Sequence, residues 1–228
     1  MYWYEISPLA LALIAMAISL IAQINVNSTF NRYSKVKNLR GITGAEAARR
    51  ILDRNGLYDV GVERVSGKLS DHYDPRANVV RLSESTYNST AVAAIGVAAH
   101  ECGHAIQHAE DYAPVKFRMG LVKYTNTASN LSYILVLMGL FFELSGLIYL
   151  GAAFFGVVAF FQLVTLPVEF DASKRALAIL GGGMLYDERE VSGAKKVLTA
   201  AALTYVAALA TSLLYLLRLL IIARRSND

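Results

Sequence analysis

The sequence predicts a mainly α-helical integral membrane protein, with about four transmembrane helices and one small α+β domain. Three observations predict this. Of the 228 residues, 55% are hydrophobic, and the mean hydropathy is +0.39. The apolar residues are not spread evenly but fall in blocks, 8–24, 131–166 and 197–222. The stretches between the blocks carry nearly all the charge, enough for one modest folded domain. The net charge of +4 is mild and no long basic run occurs. That favours contact with a bilayer containing anionic lipid and argues against nucleic acid as a partner. The single cysteine, Cys102, excludes an intramolecular disulfide.

The elements follow in order. Pro8 to Ile24 is about 17 residues without a charge, near the lower limit for a spanning helix. Tyr2, Trp3 and Tyr4 precede it as an aromatic belt. Glu5, and no basic residue, stands before the apolar run, which suits a retained anchor better than a cleaved signal peptide. Arg32, Lys35, Lys37 and Arg40 follow the run and favour the cytoplasmic side. Gly41 to Gly56 reads as a helix, capped by Thr43 with Glu46 three residues on. Val60 to Val65 alternates like a short strand, Leu69 to Arg76 is polar and turn-rich, and Asn78 to Leu82 reads as a second strand.

A helix then runs to about Ala109, with Ser89 or Thr90 as its cap. It carries His100-Glu101-Cys102-Gly103-His104, the pattern H-E-x-x-H. Residues four apart share a helix face, so His100 and His104 can address one metal ion. Glu101 beside them is placed as a general base for water activated by that metal. Neutral imidazole suits zinc. The flanks, Ala91 to Ala99 and Ala105-Ile106, are small and apolar. They predict a buried helix, where histidines without a partner would be costly. Cys102 lies two residues from each histidine and faces away from the metal as a small buried residue. His108 lies about 80° round the helix from His100 and suits support of a neighbour or of the helix C-terminus better than ligation. His72 and Asp74 suit a turn better than a metal site. A strand just before such a helix offers an edge for an extended peptide, which places substrate along Asn78, Val79 and Val80.

Leu131 to Leu166 is too long for one span and is interrupted at Glu143 to Gly146. It predicts a hairpin of two helices, 126–142 and 147–167, with Gly139, Gly151 and Gly156 allowing close approach. Glu169 and Asp171 come directly after it. A catalytic zinc site needs three protein ligands and the histidines supply two. Glu169 is the expected third, with Asp171 as the alternative and pairing with Lys174 or Arg175 as the ordinary role for either acid. Gly181 to Gly183 marks a helix end, and 197–222 is the last span. The expected organisation is an anchor (1–27), a cytoplasmic domain with the motif helix (28–125), a membrane hairpin (126–168), a polar segment with the third ligand (169–196), and a final span and tail (197–228).

His100 to His108, with Leu166-Pro167-Val168-Glu169-Phe170-Asp171-Ala172-Ser173 and Asp71 to Arg76, resembles the bacterial YugP-type family of membrane zinc metallopeptidases. The resemblance covers essentially the whole chain. More distantly, the chain is similar to the HtpX heat-shock proteases and the CAAX prenyl-protein endopeptidases. That resemblance implies a gluzincin-like zinc peptidase domain, with the third-ligand glutamate at Glu169. It also implies an aspartate supporting a ligand histidine, but Ser173 stands at that place, and Asp171 is the nearest substitute.

Together these readings predict a membrane-embedded zinc endopeptidase. His100, His104 and Glu169 bind zinc and Glu101 activates water. The substrate is an extended peptide or a membrane protein. A zinc-containing scaffold that binds membrane proteins without cutting them is the rival, and the intact Glu101 weighs against it. A transporter is disfavoured by the near absence of ionisable residues within the spans. A homo-oligomer and a membrane-protein partner both stay open.

Overall fold

The structure is a computed structural model describing residues 7–185 and 187–226. The aromatic residues Tyr2 to Tyr4, with Glu5, lie outside the described residues. Helix α1 is Pro8–Tyr33 and α2 is Gly44–Arg54. Three strands follow: β1 (Gly61–Val65), β2 (His72–Asp74) and β3 (Val79–Ser83). Then come α3 (Glu84–Tyr87), α4 (Val92–Ala109), α5 (Ala113–Phe141), α6 (Ser145–Ile179), a π-type turn (Leu180–Met184) and α7 (Glu188–Arg225).

The chain divides into two compact units. One comprises Met1–Gln23, Phe117–Pro167 and Thr204–Asp228; the other comprises Ile24–Lys116 and Val168–Leu203. Among the described residues, three helical stretches are long and apolar enough to cross a membrane: Pro8–Tyr33, Ser145–Met184 and Glu188–Arg225. The expected hairpin forms, but α5 is not one of these three. Its apolar part starts at Leu131 and leaves about 11 residues, roughly 16 Å of helix against a hydrocarbon core of about 30 Å. Within the first unit the hairpin is tight. A Cβ on Gly139 would meet the Ile148 backbone nitrogen at 2.9 Å, and one on Gly151 would meet the Ser132 carbonyl oxygen at 3.1 Å. The Ser132 hydroxyl donates to the Gly151 carbonyl at 2.8 Å. Gly156, expected to act likewise, has no atom within 4 Å of such a Cβ.

Two boundaries differ from expectation. Helix α6 does not stop at Pro167 but continues through it to Ile179. Pro removes one ladder hydrogen bond and normally kinks or breaks a helix, yet the turns beyond it are anchored by burial of Val168, Glu169, Ala172, Ala176 and Leu180. Helix α4 is capped by neither Ser89 nor Thr90. Its N-cap is Ala91, with no side-chain cap bond, and the first helical N–H, of Val92, donates to the Val36 carbonyl instead.

The second unit holds the charged domain. Thr43 and Glu46 form the expected capping box on α2. The sheet runs β1-β3-β2, with β1 parallel to β3 and β2 antiparallel to it. The turn-rich stretch thus contains a strand, β2, and Val79 and Val80 enter the central strand rather than an edge, with Asn78 just before it. Both hydrogen-bonding sides of β3 are taken, which explains its near-continuous burial.

Helix α4 is the axis of this unit. Its small residues let three elements approach. Cys102 Sγ lies 3.6 Å from the Ala48 carbonyl of α2, and Gly96 faces Ala194 of α7. A Cβ on Gly103 would stand 2.7 Å from the Ala172 carbonyl oxygen of α6, closer than real Cβ atoms come. Val92, Ile95, Ala98, Ala99, Cys102 and Ala105 join Ile51, Leu52, Val80, Leu82, Leu180 and Leu198 in one core. Overpacking a core of this kind costs about 1–3 kcal/mol. Gly103→Val should therefore lower the unfolding free energy by that amount in thermal melts of the detergent-solubilised protein, whereas Gly156→Ala should be neutral or slightly stabilising.

Candidate metal centre

The close pass of α4 by α6 at Gly103 and Ala172 sets the centre. His100 and His104 point from successive turns of α4, and Glu169 points back from α6. Glu169 Oε2 lies 3.3 Å from His100 Nε2 and 3.5 Å from His104 Nε2. The imidazole rings meet edge to face, with centroids 4.7 Å apart. Among the described residues, this trio is the group of histidine, cysteine and carboxylate side chains close enough to hold one ion. Glu169 is 2% exposed, so its charge needs a compensating cation. Zinc bonds to imidazole and carboxylate measure about 2.0–2.2 Å, which makes a tetrahedral ligand edge roughly 3.3–3.5 Å. The two-imidazole, one-carboxylate set and the two Glu169 separations therefore fit zinc.

The backs of both histidines are held. The Gln107 amide nitrogen donates to the Val168 carbonyl at 2.9 Å and to Asp171 Oδ2 at 2.9 Å. That leaves Gln107 Oε1, 3.0 Å from His104 Nδ1, as an acceptor. His104 must then carry its proton on Nδ1, freeing Nε2 for a metal. Asp171 in turn accepts from Arg175 Nε at 2.6 Å, and Arg175 donates to Glu110 at 2.7 Å. On the other histidine, the Ser173 hydroxyl lies 3.2 Å from His100 Nδ1. Asp171 is therefore no third member of the cluster. It acts on His104 through Gln107, a residue that the sequence reading passed over although it sits three positions after His104, on the same helix face. Burial disfavours charge on His104, but the Glu169 and Glu101 carboxylates outweigh it and hold its pKa above the ordinary imidazole value. An incoming metal must displace that proton.

Glu101 is buried and reaches the sheet. Its Oε2 accepts the backbone N–H of Tyr73 at 3.1 Å. This bond comes from the outer side of β2, the side not paired with β3. The other sequence candidates lie apart from the cluster. His72 is exposed and contacts the Ser70 carbonyl, Asp74 pairs with Arg81, and His108 Nδ1 lies 3.4 Å from the Tyr73 hydroxyl. Burial pushes the Cys102 thiol far above its ordinary pKa, so it stays protonated beside Ala48. Asn78 contacts Asp59 and the Tyr73 hydroxyl, and Val79 and Val80 are buried. Their backbone is occupied by β1 and β2, which moves the available edge from Asn78–Val80 to β2.

Removing the group that orients a ligand histidine typically weakens metal binding about 10–100-fold. Gln107→Leu should produce a loss of that size in a zinc-competition assay with a chromophoric chelator.

A family model described as "Putative neutral zinc metallopeptidase" matches residues 9–224. A relative from Bacillus subtilis (strain 168), named "Putative membrane protease YugP", is 49% identical over 218 residues, covering 96% of this chain and 97% of the relative. No solved structure matches the chain. The family match spans nearly every residue that builds the centre and the apolar helices, and the chain belongs to this neutral zinc metallopeptidase family.

Proposed function

We propose that the protein is a membrane-embedded zinc endopeptidase. The observation that carries this reading is the convergence of His100, His104 and Glu169, beside a buried carboxylate, Glu101, that lies outside the trio. Zinc held there would supply a Lewis acid to polarise the scissile carbonyl and acidify water. Glu101 takes the proton from that water and returns it to the leaving amine. Gln107 and Ser173 keep both imidazoles in orientation, and the Asp171–Arg175–Glu110 chain holds Gln107 in turn.

The substrate edge is β2. An extended peptide added along β2 would run past Glu101, whose carboxylate already holds the Tyr73 N–H. The Tyr73 N–H bond to Glu101 also fixes the base at the end of the peptide groove. This replaces the edge expected at Asn78–Val80. The substrate is then a peptide segment taken in extended form, from a membrane protein or an unfolded one.

Zinc and hydrolysis should separate on mutation. Glu101→Gln should retain zinc but lose about 10²–10⁴-fold in peptide cleavage, while His104→Ala and Glu169→Ala should lose both. Peptide binding without turnover in the wild-type, zinc-loaded protein would instead favour the scaffold reading.

The centre lies on the cytoplasmic side in this proposal, with α5 and α6 as a hairpin that enters and leaves on that side. The four cations between Arg32 and Arg40 support that orientation. In a Cys102→Ser background, Lys35→Cys, an exposed position, should resist a membrane-impermeant maleimide in intact cells and react after lysis. Labelling in intact cells would invert the topology.

A further inference from the structure

Apart from the metal centre, the second unit contains a groove of about 490 Å³, within the rough 300–1,000 Å³ range of small-ligand sites. It lies between the end of α1 and the start of α7. Asn25, Thr29 and Arg32 form one wall, and Lys195, Lys196 and Thr199 form the other. Three features set it apart from an ordinary solvated surface. It gathers three cations and no acidic residue in its lining. Among the described residues none of the three makes an ion pair with a carboxylate: Arg32 lies over the neighbouring Tyr33 ring, 5.7 Å from its centroid, and Lys195 and Lys196 are exposed. Such a cluster repels itself unless an anion joins it. Hydroxyl and amide groups from Thr29, Thr199 and Asn25 stand among the charges, as donors suited to phosphate oxygens.

The position of the groove selects the anion. Asn25 is the first residue after the uncharged run 8–24, and Thr199 and Leu203 lie within the first turns of the apolar run 197–222. The groove therefore spans the level at which both helices pass from hydrocarbon to water. Its apolar end is Ala200 and Leu203, and its charged end is Arg32, Lys195 and Lys196. The wall is firm. A Cβ on Gly193 would meet the Tyr33 ring at 2.9 Å, and Phe30 packs with Val197 and with Ala93 of α4.

We propose that this groove binds the headgroup of an anionic phospholipid, with the phosphate among Arg32, Lys195 and Lys196 and the acyl chains leaving past Leu203. Basic pockets between membrane helices at the cytoplasmic surface hold acidic headgroups by this means. The site is separate from the metal centre and does not depend on the peptidase reading.

The test uses full-length, delipidated protein in neutral detergent, titrated with phosphatidylglycerol or phosphatidylcholine and read by native mass spectrometry. Each cation near an anionic headgroup contributes roughly fivefold in affinity. The pair Lys195→Gln/Lys196→Gln should then weaken phosphatidylglycerol binding about thirty-fold and leave phosphatidylcholine binding unchanged. Arg50→Gln/Arg54→Gln removes the same charge from exposed positions elsewhere and should change neither. All four side chains are exposed, so the thermal melting point should hold in both variants. Equal losses in the two pairs, or no preference for phosphatidylglycerol, would overturn the proposal. Displacement of phosphatidylglycerol by millimolar inorganic phosphate would overturn the lipid assignment in favour of a soluble phosphate.

Discussion

The approach of α4 to α6 at Gly103 is the constraint on which the rest of the site depends. With the Ala172 carbonyl oxygen 2.7 Å from where a Cβ would stand, no other residue leaves the two backbones this close. At a wider helix separation, Glu169 Oε2 could not reach within 3.5 Å of both imidazoles. The same proximity brings Ser173 to His100 and the Gln107 amide to the Val168 carbonyl. One missing side chain thus places the candidate ligands and their supports together. The motif glycine is structural here, while the histidines on either side of it line the candidate metal centre.

Supports for the two histidines differ in kind. Ser173 offers His100 a single neutral hydroxyl. Gln107 offers His104 an oxygen whose role is forced, because both donors of its amide nitrogen are spent on Val168 and Asp171. A carboxylate acting through a glutamine transmits less charge than one in direct contact. The imidazole is still oriented, and the negative charge of Asp171 is balanced by Arg175 rather than pressed onto the candidate ligands. Where the resemblance to more distant relatives led to the expectation of an aspartate, a serine stands beside His100, and Asp171 reaches the neighbouring His104 only through Gln107.

The second unit also explains how a helix with two histidines and a glutamate can be buried. Small residues on α4 admit α2, α6 and α7 on separate faces, and its polar face is left to Glu169, Tyr73 and Gln107. Glu101 and Gln107 each meet a stated partner there, as low-polarity surroundings require. The groove formed by α1 and α7 rests on the same helix through Ala93 and Val97, so that α4 supports two chemically distinct surfaces.

Local pattern alone determined a good deal. Helical spacing put His100 and His104 on one face, the capping box marked the start of α2, and three apolar blocks marked the long helices, because each signal depends only on neighbours in the chain. The need for a third ligand pointed to the acids after the second block, with Glu169 expected and Asp171 as the alternative. Tertiary structure sets where each acid lies: α6 stays helical through Pro167, which turns Glu169 and Ser173 to α4 and Asp171 toward Gln107. It also decided the strand order. His72 to Asp74 is too short and polar to show an alternating pattern, and it becomes a strand only by pairing with Val79 to Arg81. That pairing makes β3 central and transfers the free edge beside Glu101 to β2. Pairing and helix separation are contacts between residues distant in the chain, and their energies belong to the folded molecule rather than to any local stretch.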